Sequence, residues 1–326
     1  MKKNQYLIIG GTTKAATTSL FHYLADHPEV TVTSIKETRF FIDQDYPLMP
    51  PVDTGWWEGA DKFEAFFPNN DPCLRVDVTP DYLYSAGTPL RLKSLLPNVK
   101  IAFILRDPIT RVVSWYKYAK QINCLPSSMT FREYIDKQMA GGHFEQAKQD
   151  RRNGLHIPSP EYFLSALEHG HYSKYLQSYI DAVGPDNVKV YFYEELCAEP
   201  IKILHDLCDF AAITSSFYDS YDFQIFNRSI SIKNARLNHL YSKFRYHVRR
   251  YTHNLPIHQV FRQMRLWFDP IYYRLNGKAD EKVEINSDLR AKLEAYYEYE
   301  IIALEKILGR SVPWSIKPQI NKSMGK

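Results

Sequence analysis

Cysteine is scarce in this chain: four in 326 residues, Cys73, Cys124, Cys197 and Cys208, with no C-x-x-C pair among them. That count excludes a disulfide framework, argues against a thiolate zinc site and points to a reducing compartment. Long apolar runs are missing as well. Nothing approaches the ~18 consecutive apolar residues of a membrane-spanning helix. The amino terminus, Met1-Lys2-Lys3-Asn4-Gln5 and then Tyr6-Leu7-Ile8-Ile9-Gly10, has neither the apolar length nor the cleavage site of a secretory signal. A cytoplasmic protein is expected. Excess charge is small too. A net +4 suits an anionic ligand but falls short of the basic balance of a nucleic-acid-binding domain, so no nucleic-acid partner is expected. There is no internal repeat and no low-complexity segment.

What is present is a strand–loop–helix pattern. Tyr6–Ile9, Ile101–Leu105 and Val188–Tyr193 are short apolar runs of the kind buried in parallel sheets, and Leu74–Val78 is a weaker one. Each of the first three is followed by polar turn residues and then a helical pattern, which defines an α/β fold with a central parallel sheet flanked by helices. A first helix is expected from Thr17 or Thr18, with Leu20 and Leu24 inward and Pro28 ending it. A second is capped by Asp107 and opened by Pro108. Its buried stripe is Ile109, Val112, Val113 and Tyr116, and Arg111 and Ser114 fall on the opposite face, available to ligand or water. Beyond Asn227 the character changes to a C-terminal helical extension, ending in an amphipathic helix over Ser287–Leu308.

The first chemical motif is Gly10-Gly11-Thr12-Thr13-Lys14-Ala15-Ala16-Thr17-Thr18-Ser19. Placed between a strand and a helix, it presents free backbone N–H groups, the positive end of a helix dipole, one ammonium and several hydroxyls, and is a natural anion cradle. It is P-loop-like but not a Walker A loop. Ala15 follows Lys14 where that motif needs a hydroxyl for magnesium.

The second motif is Leu105-Arg106-Asp107-Pro108-Ile109-Thr110-Arg111-Val112-Val113-Ser114-Trp115-Tyr116. A strand delivers Arg106 to the sheet edge where open α/β folds bind ligands. There a guanidinium can grip a phosphate with two N–H groups. With the first loop, this run resembles the sulfotransferases that use 3′-phosphoadenylyl sulfate (PAPS). Their signature pairs a 5′-phosphosulfate loop after strand one with a 3′-phosphate element L-R-D-P-x-x-R-x-x-S-x-Y. The nearest likeness is to the heparan-sulfate-type and bacterial carbohydrate-type branch. It extends through His27-Pro28, Lys36-Glu37-Thr38-Arg39-Phe40-Phe41, Thr79-Pro80-Asp81-Tyr82-Leu83 and Gly170-His171-Tyr172. It continues through Tyr193-Glu194-Glu195-Leu196, Asn227 with Lys233 and Arg236, and the Gly309…Trp314 ending. Two departures stand out. Ala16 replaces a glycine usual before the Thr-Thr pair, and Val78 stands where the heparan type often has lysine.

The resemblance implies a single sulfotransferase domain over 1–326, with 227–326 as a basic-aromatic lid region. It implies PAPS as donor, 3′-phosphoadenosine 5′-phosphate (PAP) as product and no metal. Lys14 and Glu37 would be catalytic, the first at the bridging oxygen and 5′-phosphate, the second as base, with His22, His27 and Asp77 in reserve. The donor-binding set would be Thr13, Lys14, Ala15, Ala16, Thr17, Thr18 and Ser19 in the loop. Arg106 and Ser114 would bind the 3′-phosphate, Tyr193 would lie near the adenine, and Lys233 and Arg236 would close over the phosphate. The acceptor would be a hydroxyl or amine, with polysaccharide and glycolipid both open. A P-loop kinase and a non-catalytic nucleotide- or membrane-surface-binding protein are the alternatives. The stretch 236–268 has no acidic residue and interleaves arginines with aromatics. It reads either as a lid with a solvated basic face or as a contact for an anionic membrane or acidic acceptor.

Overall fold

A computed structural model describes residues 5–48, 55–68, 74–141, 160–224, 231–234 and 283–314, with separate positions between 236 and 278. Five strands form one parallel sheet: β1 (Gln5–Gly11), β2 (Val30–Val32), β3 (Leu74–Val78), β4 (Lys100–Leu105) and β5 (Val188–Phe192). Their spatial order is β2-β3-β1-β4-β5. The four strands read from sequence are all present, and β2 is the addition. It has only three residues, too few to show a period.

Alternation along the strands splits the core in two. Ile8, Ile101, Phe103, Leu105 and Phe192 enter one apolar cluster, and Leu7, Ile9, Val76, Ala102, Ile104 and Tyr191 enter the other. Both faces of the sheet are therefore covered, as a parallel sheet requires. The helices are α1 (Thr17–Ala25), α2 (Ala60–Glu64), α3 (Thr88–Leu95), α4 (Pro108–Gln121), α5 (Phe131–Met139), α6 (Pro160–Phe163), α7 (Tyr172–Val183), α8 (Tyr193–Ala198), α9 (Pro200–Ala211) and α10 (Ser287–Leu308). The residues α1 and α9 bury join the cluster of Leu7 and Ile9; those of α4, α7 and α10 join the cluster of Ile8 and Phe103.

Helix ends follow the sequence closely. Asp107 accepts from Ile109 N (2.8 Å) and Thr110 N (2.9 Å), the cap expected of it. Asn286 caps α10 by accepting from Leu289 N at 3.1 Å, and Gly309, at φ 63°, ends it. Glu300, buried on α10, accepts from the backbone and hydroxyl of Ser173 (2.8 and 2.6 Å) and so caps α7. Those two bonds tie α10 to α7.

Gly170 marks where this packing is tightest. A Cβ there would sit 2.6 Å from the Tyr297 hydroxyl. Tyr297 is fully buried and donates to Leu167 O at 2.9 Å, so it has nowhere to go. Gly170→Ala is expected to destabilise the fold by about 1–3 kcal/mol, read as a lower urea midpoint at unchanged slope.

Candidate active site

β1 has β3 on one side and β4 on the other, so the strand order reverses there. Such a switch point opens a crevice at the carboxyl ends of the strands. The loops after β1 and β4 face each other across it.

The β1 loop is pinned to its neighbour from the first residue. Thr12 N donates to Ile104 O at 2.8 Å, and the Thr12 hydroxyl bonds the buried Tyr84 hydroxyl. Lys14 (φ 69°) and Ala16 (φ 59°) are both left-handed. At Ala16 this explains the family's preference for glycine, since an L side chain in that region costs roughly 1–2 kcal/mol. Ala16 is also the N-cap of α1 and makes no side-chain cap. The N–H groups of a first helical turn have no partner within the helix itself. Thr13, Ala15, Thr17 and Ser19 are buried, while Lys14, Ala16 and Thr18 are partly exposed.

Arg106 leaves the end of β4 and crosses to this loop. Its Nη1 donates to Lys14 O at 2.9 Å and its Nε to the Thr110 hydroxyl at 3.2 Å, and its guanidinium lies 4.3 Å from the centre of the Tyr193 ring. The Tyr172 hydroxyl donates to Arg106 O at 2.8 Å. Asp107 N is held by Glu194 Oε1 at 3.1 Å, whose other oxygen accepts from Trp314 Nε1 at 3.0 Å. The Glu194 and Trp314 motifs, assigned no role from sequence, thus brace the turn that aims Arg106.

Lys14 is the electrostatic focus. Burial, and then the Arg106 charge, pull its ammonium down to about 8, against an opposing pull from Glu37. Its Nζ lies 4.4 Å from the centre of the Tyr118 ring. Thr110, Ser114 and Tyr118 recur every fourth residue on α4, so one helix face lines the crevice. Sequence reasoning found only Ser114 of the three. The four-residue spacing was the signal that could have found the others.

Glu37 is left-handed too (φ 61°) and its N–H donates to Val78 O at 3.2 Å, which fixes it beside the end of β3. Its carboxylate accepts from Lys36 (2.6 Å) and Arg39 (2.9 Å). Burial pushes the carboxyl up, but Lys36 and Arg39 outweigh it and hold Glu37 below the ordinary carboxylate range, with Lys14 contributing. Arg39 is anchored in turn by Asp81 at 3.3 Å, and Asp81 accepts from Tyr162 at 2.8 Å.

The reserve bases fare differently. His27 is buried; its Nδ1 accepts from Glu29 N (3.1 Å), which leaves Nε2 to donate to Thr214 O (2.8 Å). Both nitrogens are occupied by the backbone. Asp77 is fully buried and accepts from the hydroxyls of Thr38, Thr79 and Tyr82 (2.8, 3.0 and 2.9 Å); burial still pushes it up to about 6. His22 is half-buried on α1.

One expectation is corrected. Arg111 is not on a solvent or ligand face of α4: it is completely buried. The segment leading into α7 covers it, Nη2 bonding Ala166 O and the guanidinium lying 5.9 Å from the Tyr172 ring. Helical periodicity cannot reveal a second layer packed on the polar face. Nearby, burial and then Arg111 hold His169 well below its usual value, so its imidazole is neutral; it stacks on Tyr84 at 4.0 Å.

Lys233 and Arg236 are exposed. The bonds of Lys233 run to Asn276 and Leu275, and the segment reaches α4 through Asn238, which donates to Gln121 O at 2.8 Å. Asn227 lies outside the described residues.

Two converging cations and a carboxylate thus line a crevice on an open parallel sheet, a setting suited to an anionic ligand. Residues 7–255 match the family model of the sulfotransferase domain, and the chain belongs to that family. The bifunctional heparan sulfate N-deacetylase/N-sulfotransferase 1 of Mus musculus is 25% identical over 219 residues, 64% of this chain and 22% of that protein. The membrane-associated sulfotransferase kil1 of Dictyostelium discoideum is 29% identical over 163 residues, 45% of this chain and 33% of that protein. The chain thus spans a third or less of the length of these relatives. Among solved structures, a sulfotransferase from Alicyclobacillus acidocaldarius superposes with a TM-score of 0.61 at 20% identity, covering 96% of this chain and 98% of the other, which is a likeness of fold. No group of side chains able to hold a metal ion occurs among the described residues.

Proposed function

We propose that this chain transfers the sulfuryl group of PAPS to a hydroxyl or amine of a carbohydrate or glycolipid acceptor. The observation that carries the reading is the 2.9 Å bond from Arg106 to the Lys14 carbonyl. It brings both cationic motifs to one crevice, where each cation disfavours the other until an anion lies between them. A nucleotide phosphorylated at both its 3′ and 5′ ends has the matching charges. Arg106 and Ser114 take the 3′-phosphate. Lys14 and the loop from Thr13 to Ser19 take the 5′-phosphosulfate. Tyr193 flanks the adenine, and Lys233 and Arg236 close from the lid. The whole of 1–326 is read as one catalytic domain in a reducing, cytoplasmic setting. The heparan-sulfate relatives favour a polysaccharide acceptor; Val78 in place of a lysine favours one less acidic than heparan sulfate.

Sulfuryl transfer is an in-line displacement at sulfur, so catalysis is mostly positioning and charge stabilisation. The acceptor oxygen or nitrogen forms its bond to sulfur as the bond to the bridging oxygen breaks. Negative charge grows on that leaving oxygen, and Lys14 meets it there. Glu37, ionised at neutral pH, takes the acceptor proton. This chemistry requires no metal.

The test is incubation with labelled PAPS and an acceptor panel in the presence of a chelator, with mass detection of the sulfated product. Absence of both turnover and PAP binding by calorimetry would remove the reading.

A pH dependence follows from Lys14. The free ammonium titrates near 8, and a bound dianion raises that value. PAP affinity should be fully present below pH 8 and fall as pH climbs above it, by up to about tenfold per unit until the bound-state value is reached. Calorimetry from pH 6.5 to 9.5 reads it; a flat profile would show that Lys14 does not touch the ligand.

A further inference from the structure

The 231–278 segment is built inside out. Its two ends pair as short antiparallel strands, Ser231 with Lys278 and Ile232 with Gly277. Helical positions follow on each side, at 236–238, 240, 241 and 244 and at 268, 271, 272 and 274–276. What holds the two sides together is polar. Asn276 accepts from Asn234 N at 2.9 Å, Tyr272 donates to Asn238 at 2.9 Å, and the Tyr241 and Tyr272 rings stack at 3.9 Å. Asn238 and Asn276 are buried.

The apolar side chains point the other way. Leu237, Leu240 and Phe244 are 48%, 64% and 62% exposed; Phe268, Ile271 and Leu275 are 55%, 56% and 72% exposed. Each triplet is spaced i, i+3, i+7, so each is one continuous row on its side of the pair. Soluble proteins bury such rows and leave asparagines to water. Two adjacent rows of large apolar side chains in water mark a docking surface. Over 236–268 the chain has seven lysines and arginines and no acidic residue, and its arginines at 249, 250, 262 and 265 lie between the two rows in sequence. Over 231–278 as a whole the chain carries ten lysines and arginines against one acidic residue, Asp269, and apolar rows in so basic a segment match an interface that offers acyl chains and negative headgroups together. An acidic polysaccharide would use the charge but leave the rows in water. A second copy of this chain would cover the rows but oppose like charges.

We propose that this surface seats the enzyme on an anionic lipid bilayer, the two apolar rows entering the headgroup boundary and the net positive charge of the segment drawing it to the headgroups. No helix among the described residues is long and apolar enough to cross a membrane; the contact proposed is one with the bilayer surface. The inference needs neither the donor nor the acceptor assignment.

The test is sedimentation of the full chain with phosphatidylcholine vesicles, with and without one third phosphatidylserine, at low and at high salt. The variant is Leu240→Asp with Phe244→Asp. Both positions are exposed, so an unchanged melting temperature and an unchanged circular dichroism spectrum certify its fold. If the double variant fails that control, Leu275→Asp on the other row replaces it. The expected result is binding to the anionic vesicles only, weakened by high salt and reduced at least tenfold by the substitutions. No binding to anionic vesicles at low salt overturns the proposal. So does binding that the substitutions leave intact, since charge elsewhere would then suffice. Retention on immobilised heparin without vesicle binding assigns the surface to a polysaccharide. A concentration-dependent dimer in light scattering, abolished by the same variant, assigns it to a second copy; either outcome overturns the lipid proposal.

Discussion

Lys14→Ala should lower kcat by about 10²–10³, equivalent to about 2.7–4 kcal/mol of transition-state stabilisation, as for removal of one donor from an oxyanion site. The argument rests on where the charge goes. The ammonium sits on a loop fixed to β4 through Thr12 and Arg106, so it is positioned before the reaction begins. It is held near 8 by burial and by Arg106, a state that a growing negative charge relieves. An interaction that strengthens during the reaction appears in kcat more than in substrate affinity. PAP affinity should therefore fall less than kcat does. Steady-state kinetics on a responsive acceptor, with calorimetry for PAP, measures both. A variant with kcat within a factor of ten of the parent enzyme would take Lys14 out of the chemical step.

Glu37→Gln should reduce kcat by about 10²–10⁴ with donor binding nearly unchanged, because the amide keeps the shape and loses the proton acceptor. The acid limb of kcat/KM gives an independent reading. Lys36 and Arg39, against the effect of burial, hold Glu37 below its ordinary 4.5, so it remains a competent base until pH falls below that value. Asp77, the rival carboxylate, is pushed up to about 6 by burial and would bring the acid limb there. A limb near 6 that persists in the Gln variant would move the base to Asp77. On the alkaline side the profile should turn down near 8 as free-enzyme Lys14 loses its proton. The enzyme would then have a plateau bounded by one carboxylate and one ammonium of the same crevice.

Most of the sheet could be read from residue order, because buried parallel strands are apolar throughout and the turns after them are not. β2 escaped, since three residues carry no period. The α4 cap at Asp107 and the α10 helix were legible for the same local reason: a cap and a stripe are decided within one or two turns. Arg111 was misread because the layer that buries it comes from residues 55 positions away, at Ala166. Glu194 and Trp314 had visible motifs but no visible task. Glu194 bonds Asp107 across 87 residues, and Trp314 bonds Glu194 across 120.

The sequence by itself determined the kind of site: a phosphate loop lacking the magnesium hydroxyl, an arginine at a strand end, and a family pattern linking them. Those are properties of residue type and short spacing. Tertiary structure alone decided that Lys14 and Arg106 touch, that Tyr118 and Thr110 share their crevice, and that Glu37 is held below the ordinary carboxylate range while Asp77 is pushed above it. It also decided that the leucine and phenylalanine rows of the C-terminal segment face outward. Each of these depends on distances between residues far apart in the chain and on how much water reaches them, which no local pattern encodes.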